Sequence, residues 1–93
     1  MPLTLTPRER AKLKARAHSL EPIVQLGQAG LTPEVVAEID RALAAHELIK
    51  IRIGGDDRQA RRESCREICE RAGAAEVQQI GKILAIWRPR EEE

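Results

Sequence analysis

Two short apolar stretches, Pro22-Ile23-Val24-Gln25-Leu26 and Leu48-Ile49-Lys50-Ile51-Arg52-Ile53, each run into glycine and then into a helix-capping residue. That succession constrains the fold more than any other feature of the chain. A strand that leads through a turn into a helix and back to the sheet makes a crossover, and such crossovers are right-handed. Two of them within 93 residues leave room for one sheet and one domain. The second and third helices then lie on the same face of that sheet.

The helix boundaries are written in the same local code. Thr6-Pro7-Arg8-Glu9 sets a capping threonine, a proline at the first helical position and a glutamate that closes a capping box. Leu13, Ala17 and Leu20 recur at helical spacing, and the helix is expected to end near His18 and Ser19. Leu31-Thr32-Pro33-Glu34 opens a second helix, with Val35, Val36, Ile39 and Leu43 toward the core. Gly54-Gly55-Asp56-Asp57 caps a third, in which Cys65, Ile68, Cys69 and Ala72 repeat at i, i+3, i+4, i+7 and Gly73 stops the run.

In Leu48 to Ile53 the isoleucines alternate with Lys50 and Arg52, so one face is apolar and the other charged. Glu76 to Ile80 and Ile83 to Trp87 read as two strands joined by Gly81-Lys82, a pair suited to a type II′ turn. The expected order is αβαβαββ: an α/β, two-layer α+β sandwich with a four-stranded mixed sheet. This logic does not say where the first helix packs. Residues 1–90 form the domain, and Glu91, Glu92 and Glu93 follow as a short acidic tail.

A domain of this size buries only about 60–65% of its unfolded surface. With Trp87 as its one aromatic residue, the core must be built from Leu, Ile, Val and Ala. The same shortage bears on function. Single-strand binders that stack successive bases need several rings, and this chain has too few. Trp87 itself reads as a core or rim residue.

The net charge of +1 hides an uneven distribution. Arg8, Arg10, Lys12, Lys14 and Arg16 oppose Glu9 alone near the N-terminus. Arg8, Lys12 and Arg16 fall on one helical flank, with Arg10 and Lys14 on the other. Such a row is either a solvated face or a surface that attracts phosphate. Lys50, Arg52 and Lys82 could extend a basic surface, or they could be ordinary charges on an open sheet face. Arg58, Arg61, Arg62 and Arg66 share their helix with Glu63, Glu67 and Glu70 and carry less weight.

Gly27-Gln28-Ala29-Gly30 joins a strand to a helix start. Glycines let backbone approach a ligand closely, and a helix N-terminus offers N–H groups and positive potential to an anion. A GxxG loop that clamps nucleotide backbone is the KH-domain arrangement. The same spacing also suits a plain tight turn, with Gly30 left-handed.

Catalysis finds no convergent acid, base and nucleophile. His18 and His46 lie near helix ends, and Ser19 and Ser64 sit in no nucleophile motif. Cys65 and Cys69 fall on the apolar face one turn apart and read as inert core thiols. No zinc-type spacing is present, and neither a metal nor a cofactor is expected. The absence of an apolar leader or a membrane-length run points to a cytoplasmic protein.

Four segments, Leu26-Gly27-Gln28-Ala29-Gly30-Leu31-Thr32, His46-Glu47-Leu48-Ile49-Lys50-Ile51, Ile80-Gly81-Lys82-Ile83 and Trp87-Arg88-Pro89, together resemble the CRM domain (chloroplast RNA splicing and ribosome maturation) in its stand-alone bacterial YhbY-like form. The likeness spans about residues 3–89. It implies a fold similar to the C-terminal domain of translation initiation factor three, with an added N-terminal helix. It also implies that the last strand runs antiparallel and inserts beside the second.

Stand-alone members are associated with precursors of the large ribosomal subunit, and plant relatives act in group II intron splicing. The resemblance therefore implies a non-enzymatic RNA-binding protein acting on ribosomal RNA during large-subunit assembly, with no DNA or membrane partner. The implied contact residues are Gly27, Gln28, Ala29 and Gly30, with the basic residues of the first helix, Arg8, Lys12, Lys14 and Arg16, beside them. Thr32 after the loop, and Lys50, Arg52 and Lys82 on the sheet and hairpin, are added to the candidate RNA-binding set on their position and charge. Two departures weaken the local positive field: Gln28 stands where many relatives place lysine, and the tail is acidic where some are basic. A protein-interaction adaptor that docks a ribosomal protein is the alternative.

Overall fold

A computed structural model describes residues 4–27 and 29–89. Gln28 and the acidic tail lie outside the described residues. The elements are α1 (Pro7–Ala17), β1 (Pro22–Leu26), α2 (Pro33–His46), β2 (Leu48–Ile53), α3 (Arg58–Ala72), β3 (Ala75–Ile80) and β4 (Ile83–Trp87). This is the αβαβαββ order expected from the sequence.

The capping signals act as written. Thr6 Oγ1 accepts from the Glu9 N–H at 3.1 Å, and Glu9 Oε1 accepts from the Thr6 N–H at 2.9 Å, so the capping box closes. The Thr6 backbone N–H first, and the Thr6 hydroxyl second, hold the Glu9 carboxyl below its ordinary pKa. Thr32 Oγ1 accepts from the Val35 N–H, and Asp57 Oδ1 from the Gln59 N–H. Gly73 ends α3 in the left-handed conformation, with φ +62°.

The strand order is β1-β2-β4-β3. β1 and β2 are parallel, and β4 runs antiparallel to both β2 and β3. The crossover through α3 carries the chain past a vacant position to the far edge, and the β3–β4 hairpin then fills that position. Gly81 opens the turn with φ +58°. Among the described residues Glu47 is the one non-glycine with positive φ, so Lys82 has the negative φ that a type II′ turn requires.

Alternation in the strands sorts side chains to two faces. Ile49, Ile51, Ile53, Leu84 and Ile86 meet Ile39, Leu43, Cys65 and Ile68 from α2 and α3 in the larger core. Complete burial of each such aliphatic chain contributes about 1.5–3 kcal/mol. Val35 packs partly against this cluster, and Val36 is half-buried.

α1 packs on the opposite face, which settles the question the sequence left open. Leu13 and Ala17, with Leu5 ahead of the helix, meet Leu48, Ala75, Val77 and Ala85 in a second, smaller cluster, and Trp87 closes its side. Leu20 departs from expectation. The helix stops at Ala17, so Leu20 leaves the apolar stripe and is exposed.

α1 covers only part of its face. Register places Leu48, Trp87 and Ala75 in one cross-strand row beneath it, and Arg52, Ile83 and Ile80 in another row toward the far end. In that farther row Arg52 and Ile80 are exposed and Ile83 is half-buried.

Candidate nucleic-acid interface

β1 ends at Leu26, which pairs with Ile53, the last residue of β2. The Gly54 N–H donates to the Leu26 carbonyl at 3.3 Å, and the Ile53 N–H donates to the Lys82 carbonyl at 2.7 Å. These bonds gather three turns at one end of the sheet: the Gly27–Gly30 loop, the Gly54–Asp57 loop and the Gly81-Lys82 hairpin. The N-termini of α2 and α3 open at the same end.

Within the GxxG loop the two glycines differ. Gly30 adopts φ +78°, a conformation that costs a residue with a Cβ about 1–2 kcal/mol. Gly27 lies outside the left-handed region, and a Cβ there would meet nothing within 4 Å. Glycine at 30 is therefore demanded by the turn. At 27 the fold makes no such demand, and the absent side chain leaves exposed backbone open to a ligand.

The amides are shared between turn and solvent. The Gly30 N–H donates to the Gly27 carbonyl at 3.1 Å and the Thr32 N–H to the Gly30 carbonyl at 3.0 Å. The Thr32 oxygen accepts as the cap of α2, and Pro33 has no N–H. Among the described residues, the Ala29 and Leu31 N–H groups donate to no acceptor and remain for a ligand. Thr32 thus shapes the site through its cap, and its O–H is left to donate to an anion. Glu34, exposed in the first turn of α2, offsets part of the positive potential there.

The expected cations do not form one patch. Arg16 lines a cleft with His46, Leu48 and Ile49, where β2 starts. The GxxG loop lies beyond the end of β2, about 17 Å away at the rise of a strand. Arg8 and Lys12, exposed on the same flank as Arg16, belong to α1 and to the other face of the sheet from α2. Lys14 is also exposed. An RNA touching both α1 and the loop would have to pass across the sheet.

Lys50 donates from Nζ to the Leu20 carbonyl at 3.1 Å, which ties the α1–β1 connection to the sheet. Lys82 Nζ lies 3.6 Å from Asp56 Oδ1, an exposed pair worth little in stability. Arg52 is exposed and lines a groove with Pro22, Ile23 and Gln25, between the loop and the open face. No residue of the first turn of α3 is acidic, so Arg58 adds positive charge beside the Gly54–Asp57 loop.

Two arginines have roles that sequence reasoning missed. Arg61 Nη1 donates to the Gly55 carbonyl at 2.8 Å and fixes the loop next to GxxG. Arg88 Nη1 donates to Asp40 Oδ1 at 2.6 Å and to the Ala72 carbonyl at 2.8 Å, and Nη2 donates to the Asp40 carbonyl at 3.2 Å. It clamps α2 and the end of α3 to the end of β4. The Trp87-Arg88-Pro89 segment was visible in the sequence, but the partners at 40 and 72 were not.

The cysteines are free and buried. Burial pushes the Cys65 thiol up to about 11 and the Cys69 thiol up to about 12, with Glu76 adding to both. Among the described residues no three His, Cys, Asp or Glu side chains gather as a metal site. No helix among them is long and apolar enough to cross a membrane.

The family model of the CRS1 / YhbY (CRM) domain matches residues 5–88. The chain is 46% identical over 89 residues to an RNA-binding protein of Haemophilus influenzae, covering 96% of this chain and 90% of that one. It is 36% identical over 86 residues to a protein of Pseudomonas aeruginosa named a probable RNA-binding protein, covering 92% and 83%. The solution structure of a hypothetical protein from Staphylococcus aureus superimposes with a TM-score of 0.84 at 29% identity, covering 96% of this chain and 93% of that one.

Proposed function

Because the chain belongs to the CRS1 / YhbY (CRM) domain family, we propose that it is an RNA-binding protein that engages ribosomal RNA in precursors of the large ribosomal subunit and assists assembly. The observation that carries RNA binding is the Gly27–Gly30 loop. Its backbone is open to approach at Gly27, and its Ala29 and Leu31 amides await an acceptor beside the start of α2. A phosphate oxygen is the natural acceptor for such amides. Relatives named as RNA-binding proteins support the reading. The ribosomal assignment rests on the likeness to stand-alone family members.

The contact surface in this reading consists of Gly27, Gln28, Ala29 and Gly30, with Thr32 shaping the loop. Arg52 and Lys82 flank it. Arg8, Lys12, Lys14 and Arg16 form a second, separate area that meets phosphates elsewhere on a folded RNA. The protein acts without catalysis, in the cytoplasm.

Crosslinking in cells, mapped to nucleotides, tests the assignment. Recovery of large-subunit precursor sequences, in fractions lighter than the mature particle, is expected. Recovery of a protein partner that persists after nuclease treatment, with no enriched RNA, would support an adaptor role instead.

A further inference from the structure

The part of the sheet that α1 leaves uncovered contains a cleft of about 220 Å3. Its floor is apolar: Ala17 from α1, Ile83 and Ala85 from β4, and Ile80 from β3. Polar groups stand at its rim: His18, Lys50 and Gln78. No lining residue is acidic. Ile80 is 64% exposed, the largest exposure among the large apolar side chains described.

We propose that this cleft receives one unpaired base of the bound RNA, so that the protein reads a base on the open sheet face as well as gripping backbone at the GxxG loop. The inference rests on the RNA-binding reading above and adds a base-contacting site to it.

Size is the first argument. Pockets for drug-sized ligands run to about 300–1,000 Å3, so this cleft suits a single flat ring system. Chemistry is the second. A base presents two apolar faces and a polar edge. Aliphatic walls can sandwich the faces where a chain has no rings to stack. The Gln78 amide supplies two donors and an acceptor for the edge. Of the three donors on the Lys50 ammonium, one goes to the Leu20 carbonyl, and the others remain.

Charge is the third argument. Lys50 beside an apolar floor with no carboxylate suits a ligand that joins an apolar ring to an anion. Continuity is the fourth. Arg52 pairs with Gln25 on one side and with Ile83 on the other. Adjacent strands lie about 4.8 Å apart, so the cleft floor is about 10 Å across the sheet from Gln25, two residues before Gly27. A strand held at the loop passes Arg52 on its way to the cleft.

The test follows methyl and amide NMR signals of the intact protein in two titrations. One uses a mixed-sequence single-stranded RNA, the other an abasic ribose–phosphate strand of equal length and charge. The proposal expects the Ala29 and Leu31 amides to shift with both strands. The Ala17, Ile80, Ile83 and Ala85 methyls should shift only with the strand that carries bases. In binding assays the base-bearing strand should be tighter by about tenfold, the effect of burying about 55 Å2 of apolar surface. Ile80→Thr, which strips apolar area from the cleft at an exposed position while keeping a residue that strands tolerate, should shrink that preference.

Loop shifts without base-dependent methyl shifts overturn the cleft and leave RNA binding intact. Silence at both places overturns both. Methyl shifts produced by an acidic peptide and not by RNA identify a protein-docking groove and also overturn the proposal. The methyl titration decides the matter even where Ile80→Thr fails to fold.

Discussion

The two glycines of the loop should separate folding from binding when each is replaced in turn. At Gly30, φ +78° imposes a left-handed conformation that costs a Cβ-bearing residue about 1–2 kcal/mol. Gly30→Ala recovers about 0.4–1 kcal/mol by restricting the unfolded chain, which leaves a net loss near 1 kcal/mol. At Gly27 the conformation is ordinary, and an added Cβ meets nothing within 4 Å. Gly27→Ala should therefore hold or raise stability by about 0.4–1 kcal/mol.

Urea unfolding reads this directly, since 1 kcal/mol moves the midpoint of a small domain by roughly 0.3–1 M. The Gly30→Ala midpoint should fall and the Gly27→Ala midpoint should not. RNA affinity should behave differently. Gly27→Val places a branched side chain where a sugar–phosphate backbone must come close. Loss of one amide bond to a charged acceptor costs about 1.5–3 kcal/mol, or roughly 10- to 100-fold in Kd. A folded Gly27→Val protein with wild-type affinity would refute the reasoning. So would a fall in stability for Gly27→Ala as large as that for Gly30→Ala.

Four further outcomes are expected. Arg88→Met should lower unfolding stability by about 2–4 kcal/mol, because the Ala72 carbonyl loses a charged donor, whereas Asp40→Asn should cost about 1 kcal/mol or less; denaturant melts of the two variants check this. Triple replacement of Arg8, Lys12 and Arg16 by alanine should lower the salt slope of RNA binding by about 2 at constant fold, from roughly 0.7 per lost contact on single strands. Cys65 and Cys69 should react with a thiol reagent only as fast as the protein opens, measured by mass at neutral pH. Because their folded pKa values, about 11 and 12, lie above the ordinary 9.0, the protonated thiols favour the native state; that contribution is whole below pH 9, and melts should show it declining from there toward pH 12.

The parts of the fold carried by short-range chemistry were legible in the sequence. Thr6, Thr32 and Asp57 announced helix starts within a few residues of their partners, and Gly73 announced a stop. The alternation of Ile49, Ile51 and Ile53 with Lys50 and Arg52 placed the two faces of β2 correctly. What depended on distant partners was not legible. α1 offers only Leu13 and Ala17 as buried apolar groups, too narrow a stripe to say which face of the sheet it meets. Leu5, ahead of the helix, carried no periodic signal, yet it is buried. The register shift between Glu76 and Gln78 has no turn residue to mark it.

The site divides along the same line. The loop and its glycines were visible as a motif, because backbone geometry is encoded where it occurs. The separation of Arg16 from that loop was hidden, because it depends on which end of β2 each one reaches. Lys50 and Lys82 likewise read as free cations until Leu20 and Asp56 came beside them. The open half of the sheet exists because α1 is only 11 residues long, and no local pattern reports that.

Hydrogen exchange at individual amides, with and without precursor large-subunit RNA, examines the loop itself. Slower exchange at Ala29 and Leu31 on RNA binding is predicted, since a phosphate oxygen would take up donors that the protein leaves free. Unchanged exchange at both, with protection confined to α1 or to the far end of β2, would contradict the account.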